Sequence, residues 1–184
     1  MDARRRLFEI LNERSFRRGD FVLASGKRST YYIDCKPTAL SPEGMVLIGQ
    51  LFYDLYRASG VKVAAVAGPS IGADPLTIAT CHAAWGRGEP LFGLMVRKQP
   101  KDHGTGKRVE GASNLAPGSD VLLVEDVVTT GGSSLDTVQA ITDAGFRVVQ
   151  ALALVDRDEG GPARFAEAGV PFRALFSIRE FLAA

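Results

Sequence analysis

The sequence predicts an α/β protein: a central, mostly parallel sheet flanked by helices, with a small N-terminal hood. Three observations carry that expectation. Apolar runs of strand type, with little polar alternation, recur at 61–67, 91–96, 121–124 and 148–155, as strands do when both faces of a sheet are covered. Segments of helical periodicity separate them at 73–85, at 134–144 before Gly145, and at 163–168 before Gly169, and this alternation gives a parallel sheet. Finally, 184 residues of which 46% are hydrophobic suffice for one domain with its own core. No linker or internal repeat divides the chain, so residues 1–184 read as a single domain.

Ahead of the first core strand, residues 2–14 read as an amphipathic helix. Leu7, Ile10 and Leu11 form its apolar stripe, with Arg4, Arg5, Arg6, Glu9 and Glu13 mostly off it. Those arginines read as a solvated face. Residues 20–35 place Phe21, Leu23, Tyr31, Tyr32 and Ile33 around Ser25-Gly26-Lys27-Arg28, the pattern of a β-hairpin with a short turn. Pro42, apolar residues at helical spacing over 45–58, and Gly60 then give a second helix with start and stop signals. The hood is expected mainly from about residues 1–40.

Charge and cysteine usage exclude several classes. A formal net charge of +1 argues against a general nucleic-acid binder. Cys35 and Cys81 are too few for a disulfide framework and lack C-x-x-C spacing for zinc, so they read as free thiols in a reducing compartment. No apolar run approaches a membrane span, and the basic N-terminus lacks the apolar core of a signal peptide. A cytoplasmic protein without membrane or nucleic-acid partners is expected.

Chemistry concentrates in residues 121–134. An apolar run ends in Glu125-Asp126, then Val127-Val128, Thr129-Thr130, Gly131-Gly132 and Ser133-Ser134 lead into a helix. Paired carboxylates at the end of a buried strand are costly to desolvate, and sugar hydroxyls are fitting partners for them. A hydroxyl- and glycine-rich turn at a helix N-terminus offers free N–H groups and the positive end of the helix dipole to an anion. Together they describe a grip on a ribose phosphate. No Walker A loop and no G-x-G-x-x-G follows a strand here.

A second polar stretch spans 97–118 and holds Arg97, Lys98, Lys101, Asp102, His103, Gly104, Gly106, Lys107, Arg108, Glu110 and Gly111. Loops of that length inside a compact domain are uncommon and usually functional. Cations among glycines suit a mobile lid over a polyanion, expected at about 97–114.

Glu125-Asp126 with Thr129-Thr130-Gly131-Gly132-Ser133 resembles the signature of type I phosphoribosyltransferases, which bind 5-phosphoribosyl 1-diphosphate. Arg97-Lys98-x-x-Lys101-Asp102-His103-Gly104 resembles the catalytic loop of the orotate phosphoribosyltransferases in particular. Phe21-x-Leu23-x-Ser25-Gly26-Lys27-x-Ser29-x-Tyr31-Tyr32 is similar to that family's hood, and Asp156-Arg157 to its orotate-binding arginine. The likeness runs through the chain in order. It departs at Ala24, where some members have Lys, and at Tyr32-Ile33, where they have Phe-Phe. It departs again in the loop Gly68-Pro69-Ser70-Ile71-Gly72-Ala73-Asp74-Pro75, which carries no Lys. Lys27 is the candidate substitute for the missing cation.

The resemblance implies a type I phosphoribosyltransferase fold and transfer of phosphoribose to orotate, giving orotidine 5′-monophosphate and diphosphate. It implies 5-phosphoribosyl 1-diphosphate on Arg97, Lys98, Lys101, His103, Glu125, Asp126, Val127, Val128, Thr129, Thr130, Gly131, Gly132 and Ser133. Orotate falls to Thr129, Arg157, Lys27 and Tyr32, and catalysis to Lys101, His103, Glu125 and Asp126. His103 serves either as a proton donor to the leaving group or as one more hydrogen-bond donor; His82 reads as structural. Mg2+ is expected to ride on the substrate's diphosphate and ribose hydroxyls rather than on protein ligands. A homodimer whose catalytic loops are shared between subunits is implied as well. The rivals are a phosphoribosyltransferase for another base and a non-catalytic nucleotide-sensing or RNA-binding regulator.

Overall fold

A computed structural model describes residues 2–22, 26, 28–99 and 107–184. In chain order the elements are α1 (Ala3–Arg14), β1 (Phe16–Val22), β2 (Arg28–Ile33), α2 (Lys36–Ala39), α3 (Pro42–Arg57), β3 (Ala65–Pro69), α4 (Asp74–Trp85) and β4 (Phe92–Val96). There follow β5 (Val109–Glu110), β6 (Asp120–Val128), α5 (Gly132–Asp143), β7 (Arg147–Asp156), α6 (Gly161–Glu167), β8 (Phe172–Ser177) and α7 (Ile178–Ala183). The helix starts follow local chemistry. Asp2 and Ser41 accept from the first-turn amides of α1 and α3, and Pro42 opens α3 where its missing N–H costs nothing.

The central sheet has the order β5-β4-β3-β6-β7-β8. Every pairing in it is parallel except the short antiparallel edge β4–β5. From β3 the chain crosses through α4 to β4, and from β6 it crosses through α5 to β7 on the other side. The two right-handed crossovers put α4 and α5 on opposite faces, so the strand order reverses between β3 and β6. Alternate residues of each strand feed two cores. Val66, Leu122, Val124, Leu152 and Leu154 meet the α1, α3 and α4 side, while Ala65, Ala67, Val121, Leu123 and Ala153 meet the α5 and α6 side. Gly49 lets α3 and α4 close up, since a Cβ there would stand 2.3 Å from the Ala79 carbonyl oxygen.

The hood is the antiparallel pair β1–β2 with α1 and α2 beside it, held down by the C-terminus. Phe181 is fully buried against the rings of Phe8, Phe16 and Phe176. Arg4 reaches Glu180 at 2.7 Å and the Leu175 carbonyl at 2.8 Å, and Arg6 pairs with Glu43 at 2.7 Å. The α1 arginines expected as a solvated face are therefore partly spent as clamps.

Other boundaries differ from expectation for identifiable reasons. The hairpin starts at Phe16 rather than 20 because Phe16 pairs with Ile33, despite the charged residues between. β3 starts at Ala65, four residues later than expected. The stretch 97–118 is not one loop: β5 pairs with β4, and Ala112–Asn114 forms a 3-10 turn. β6 does not stop before the acids but runs on through Val128, in register with Asp156 of β7. No helix among the described residues is long and apolar enough to cross a membrane.

Candidate active site

The carboxyl ends of β3 and β6 meet at the reversal of strand order, where open α/β sheets hold their ligands. Glu125 and Asp126 leave β6 on alternate sides of the strand, yet both line the cleft at its end, with their carboxyls close enough to interact. Glu125 turns toward α5, is 5% exposed, and accepts a 2.8 Å hydrogen bond from Ser134 Oγ. Burial, and then the adjacent Asp126, hold its carboxyl well above the ordinary range. Asp126 turns toward the hood, half-buried, with Oδ1 accepting from the Val127 amide at 2.9 Å. Beneath it the buried Cys35 thiol donates to the Asp126 carbonyl at 3.8 Å, and burial pushes that thiol's pKa up.

A cleft of about 520 Å3 opens over these acids, walled by Pro69, Ser70, Ile71 and Gly72 on one side and by Lys36, Lys98 and Ser133 on others. The loop after β3 is pressed onto the acid at Gly72, where a Cβ would lie 2.7 Å from Asp126 Oδ2 and the carboxylate would have to shift.

Beyond β6, Thr129–Gly131 turn into α5. Gly131 holds φ +78° at the N-cap and supplies no side-chain cap, which leaves first-turn N–H groups for an incoming anion. The turn rests on Gly161, whose N–H donates to the Thr129 carbonyl at 3.1 Å. A Cβ on Gly161 would stand 2.4 Å from Val128 Cγ1 and 2.9 Å from Thr129 O. Thr130 and Ser133 are exposed, and Ser133 also lines the cleft.

The expected loop cations divide. Lys98 lines the cleft. Arg97 instead turns to Glu110 at 2.9 Å, and its backbone N–H donates to the Arg108 carbonyl at 2.8 Å. Arg108 binds the Arg97 carbonyl and pairs with Asp136 of α5 at 2.6 Å. Arg97 and Arg108 are therefore tied to each other, and Arg108 to α5, the helix that follows the Thr129–Gly131 turn. Lys101 and His103 lie outside the described residues, as does Lys27.

One strand over, the Arg157 backbone N–H donates to the Val128 carbonyl at 2.9 Å. Its guanidinium lies 5.0 Å over the Tyr31 ring, 3.4 Å from the Tyr31 hydroxyl through Nε and 2.9 Å from Glu159. Tyr32, expected at the base, is 43% exposed and packs on Phe21. The two-residue period of β2 distinguishes the tyrosines, since Tyr31 shares its face with the buried Ile33. Sequence reasoning passed over Tyr31, Ser134, Gly161 and Lys36.

The phosphoribosyl transferase domain model matches residues 41–167. An orotate phosphoribosyltransferase of Bradyrhizobium (strain BTAi1) is 42% identical over 98% of this chain and 97% of its own. One from Rhodopirellula baltica is 44% identical over 95% and 92%. Among solved structures, the Mycobacterium tuberculosis orotate phosphoribosyltransferase in complex with 5-phospho-α-D-ribosyl 1-diphosphate aligns at TM-score 0.82, with 31% identity over 98% of this chain and 99% of that one. The Aeropyrum pernix orotate phosphoribosyltransferase aligns at 0.79, with 31% identity over 96% of each chain. With the acids and the phosphate turn at the reversal point of the sheet and the hood set beside Arg157, this chain belongs to the orotate phosphoribosyltransferases of the phosphoribosyltransferase family.

Proposed function

We infer that the protein transfers the phosphoribosyl group of 5-phosphoribosyl 1-diphosphate to orotate, yielding orotidine 5′-monophosphate and diphosphate in de novo pyrimidine (UMP) synthesis in the cytoplasm. The observation that carries this reading is the paired acids of β6 beside the uncapped start of α5, in a chain alike to orotate phosphoribosyltransferases along nearly its whole length.

The reaction breaks the bond from the anomeric carbon to diphosphate and forms one to the ring nitrogen, through a transition state of oxocarbenium character. Asp126 supplies a carboxylate facing the cleft, to accept from the ribose hydroxyls and to balance positive charge at the anomeric carbon. Glu125, with its raised pKa, can keep a proton and donate to a hydroxyl oxygen, so the pair can hold a diol without two anions side by side. Thr129, Thr130, Gly131, Gly132 and Ser133 take the 5′-phosphate through the free amides of α5. Lys98, and Lys101 and His103 of the adjoining loop, meet the leaving diphosphate. Arg157, with its guanidinium over the Tyr31 ring, offers paired donors to the orotate carboxylate.

Mg2+ fits a cleft lined by carboxylate and hydroxyl oxygens with no thiol or imidazole among its described lining residues. Bound with the substrate beside Asp126, it would supply charge neutralisation to the departing diphosphate. A homodimer sharing its catalytic loops completes the proposal.

Mixing the protein with orotate, 5-phosphoribosyl 1-diphosphate and Mg2+ should consume orotate absorbance. Chelating the metal should stop turnover, and restoring Mg2+ should recover it. Silence with orotate but turnover of guanine, xanthine or uracil would reassign the base, and no turnover at all would point to a regulator.

A further inference from the structure

The cleft that must accept a polyanion is lined by acids, and the loop after β3, where some relatives carry a lysine, has none. Gly72 lies against the acid, since a Cβ there would stand 2.7 Å from Asp126 Oδ2. The cations of the cleft come from its other walls. On the opposite wall, Lys36 begins α2 and lines the cleft together with Lys98.

Resting on the phosphoribosyl-transfer reading, we propose that Lys36 of the hood is a diphosphate-binding residue of the active site, supplying a cation where the loop after β3 has none.

Its geometry is arranged for that work. Asp34 Oδ1 accepts both from Lys36 Nζ at 2.6 Å and from the Lys36 backbone N–H at 3.1 Å. One carboxylate oxygen therefore fixes the residue at both ends of its side chain. The Lys36 side chain is still 45% exposed, so solvent, and hence a ligand, can reach it. Asp34 and Asp126 both favour its charged form, Asp34 the more strongly. A phosphate oxygen arriving over Asp126 would meet an ammonium already oriented by Asp34, and only part of its hydration would need to be displaced. Lys36 sits one residue after Cys35, whose thiol lies under the Asp126 carbonyl. The cation and the acid are thus tied through the hood's own backbone, and Asp34 acts as a positioning residue.

The test compares the unmodified protein with Lys36→Met and Lys36→Arg. Calorimetric titrations use diphosphate with Mg2+, and separately orotidine 5′-monophosphate, which carries phosphate and base but no diphosphate. Loss of one charge-assisted hydrogen bond should weaken diphosphate in Lys36→Met by roughly ten- to a hundredfold. The KM for 5-phosphoribosyl 1-diphosphate should rise in step, orotidine 5′-monophosphate affinity should move less than about threefold, and Lys36→Arg should restore most of the loss. Unchanged diphosphate affinity overturns the proposal. Equal losses for both ligands also overturn it, because they mark a structural role for the hood. If the unmodified protein makes no orotidine 5′-monophosphate, the parent reading fails, while the diphosphate titration still decides the case of Lys36.

Discussion

Glu125 and Asp126 are neighbours in sequence but opposites in environment, and the difference is measurable. Glu125 is buried, bonded to Ser134 and held at a raised pKa. A carboxyl whose folded pKa exceeds its unfolded one favours the folded state at low pH, and that contribution is lost as pH rises through the folded value. Glu125→Gln keeps an oxygen for Ser134 without the ionisation. We predict equal melting temperatures for variant and parent near pH 4. At pH above the raised value the variant should melt higher, by roughly 2–4 °C for each kcal/mol of relieved desolvation. Scanning calorimetry across pH reads this, and a constant offset would mean that Glu125 does not titrate upward. Arg157 gives a second residue-scale expectation: Arg157→Ala should weaken orotate by roughly ten- to a hundredfold through lost paired donors. Binding of 5-phosphoribosyl 1-diphosphate should hardly change. Parallel loss of both ligands would remove Arg157 from the base site. The acids stood out in the sequence because paired carboxylates at the end of a buried strand are costly to desolvate, whereas Arg157, which alone reads as a surface residue closing a strand, stood out only through the resemblance. Tyr31 did not, because two adjacent tyrosines look alike until the strand's phase is known.

At the scale of elements, the phosphate turn depends on a neighbour that carries no chemistry. Gly161 begins α6 and lies beneath Val128 and Thr129. Gly161→Ala forces a methyl within 2.4 Å of Val128 Cγ1, overpacking of a kind that costs about 1–3 kcal/mol. Relief must come from moving Thr129 and hence the turn. The KM for 5-phosphoribosyl 1-diphosphate should therefore rise about tenfold or more, the loss of roughly one good phosphate contact. Gly145→Ala is the control: φ is +88° with nothing within 4 Å of a Cβ, so it costs about 1–2 kcal/mol of backbone strain and leaves that KM alone. Equal kinetic effects would show that lost stability, not turn geometry, drives the change. The order of core strands and helices could be read because buried parallel strands are nearly pure apolar runs. Phe172–Ser177 and Ile178–Ala183 could not, being six residues each, too short to display a period. β5 is shorter still, and its strand character comes from pairing with β4, which no local signal announces.

For the whole molecule, the hood and the segment after β4 meet the cleft from different parts of the chain, through Lys36 and Lys98. The hood is clamped by the C-terminal α7 through Phe181 and Arg4, so its side of the site is built within one subunit. The segments on either side of residues 100–106 are tied down, Arg97 to Glu110 and Arg108 to Asp136. Those ties lie within one chain, while the loop between them is proposed to serve a neighbouring copy in a homodimer. Two inactive variants test the exchange. Lys101→Ala removes a loop cation and Asp126→Ala a cleft acid. In a shared-site homodimer, a hybrid pairs the intact cleft of the first with the intact loop of the second. Its other site carries both defects. Equal mixing with free subunit exchange makes about half the dimers hybrids, so about a quarter of all sites regain every group. Activity should climb toward that fraction at the rate of subunit exchange, followed independently by fluorescence transfer between labelled copies. If exchange is complete and activity stays at the level of the separate variants, each loop serves its own cleft, and the two defects cannot complement.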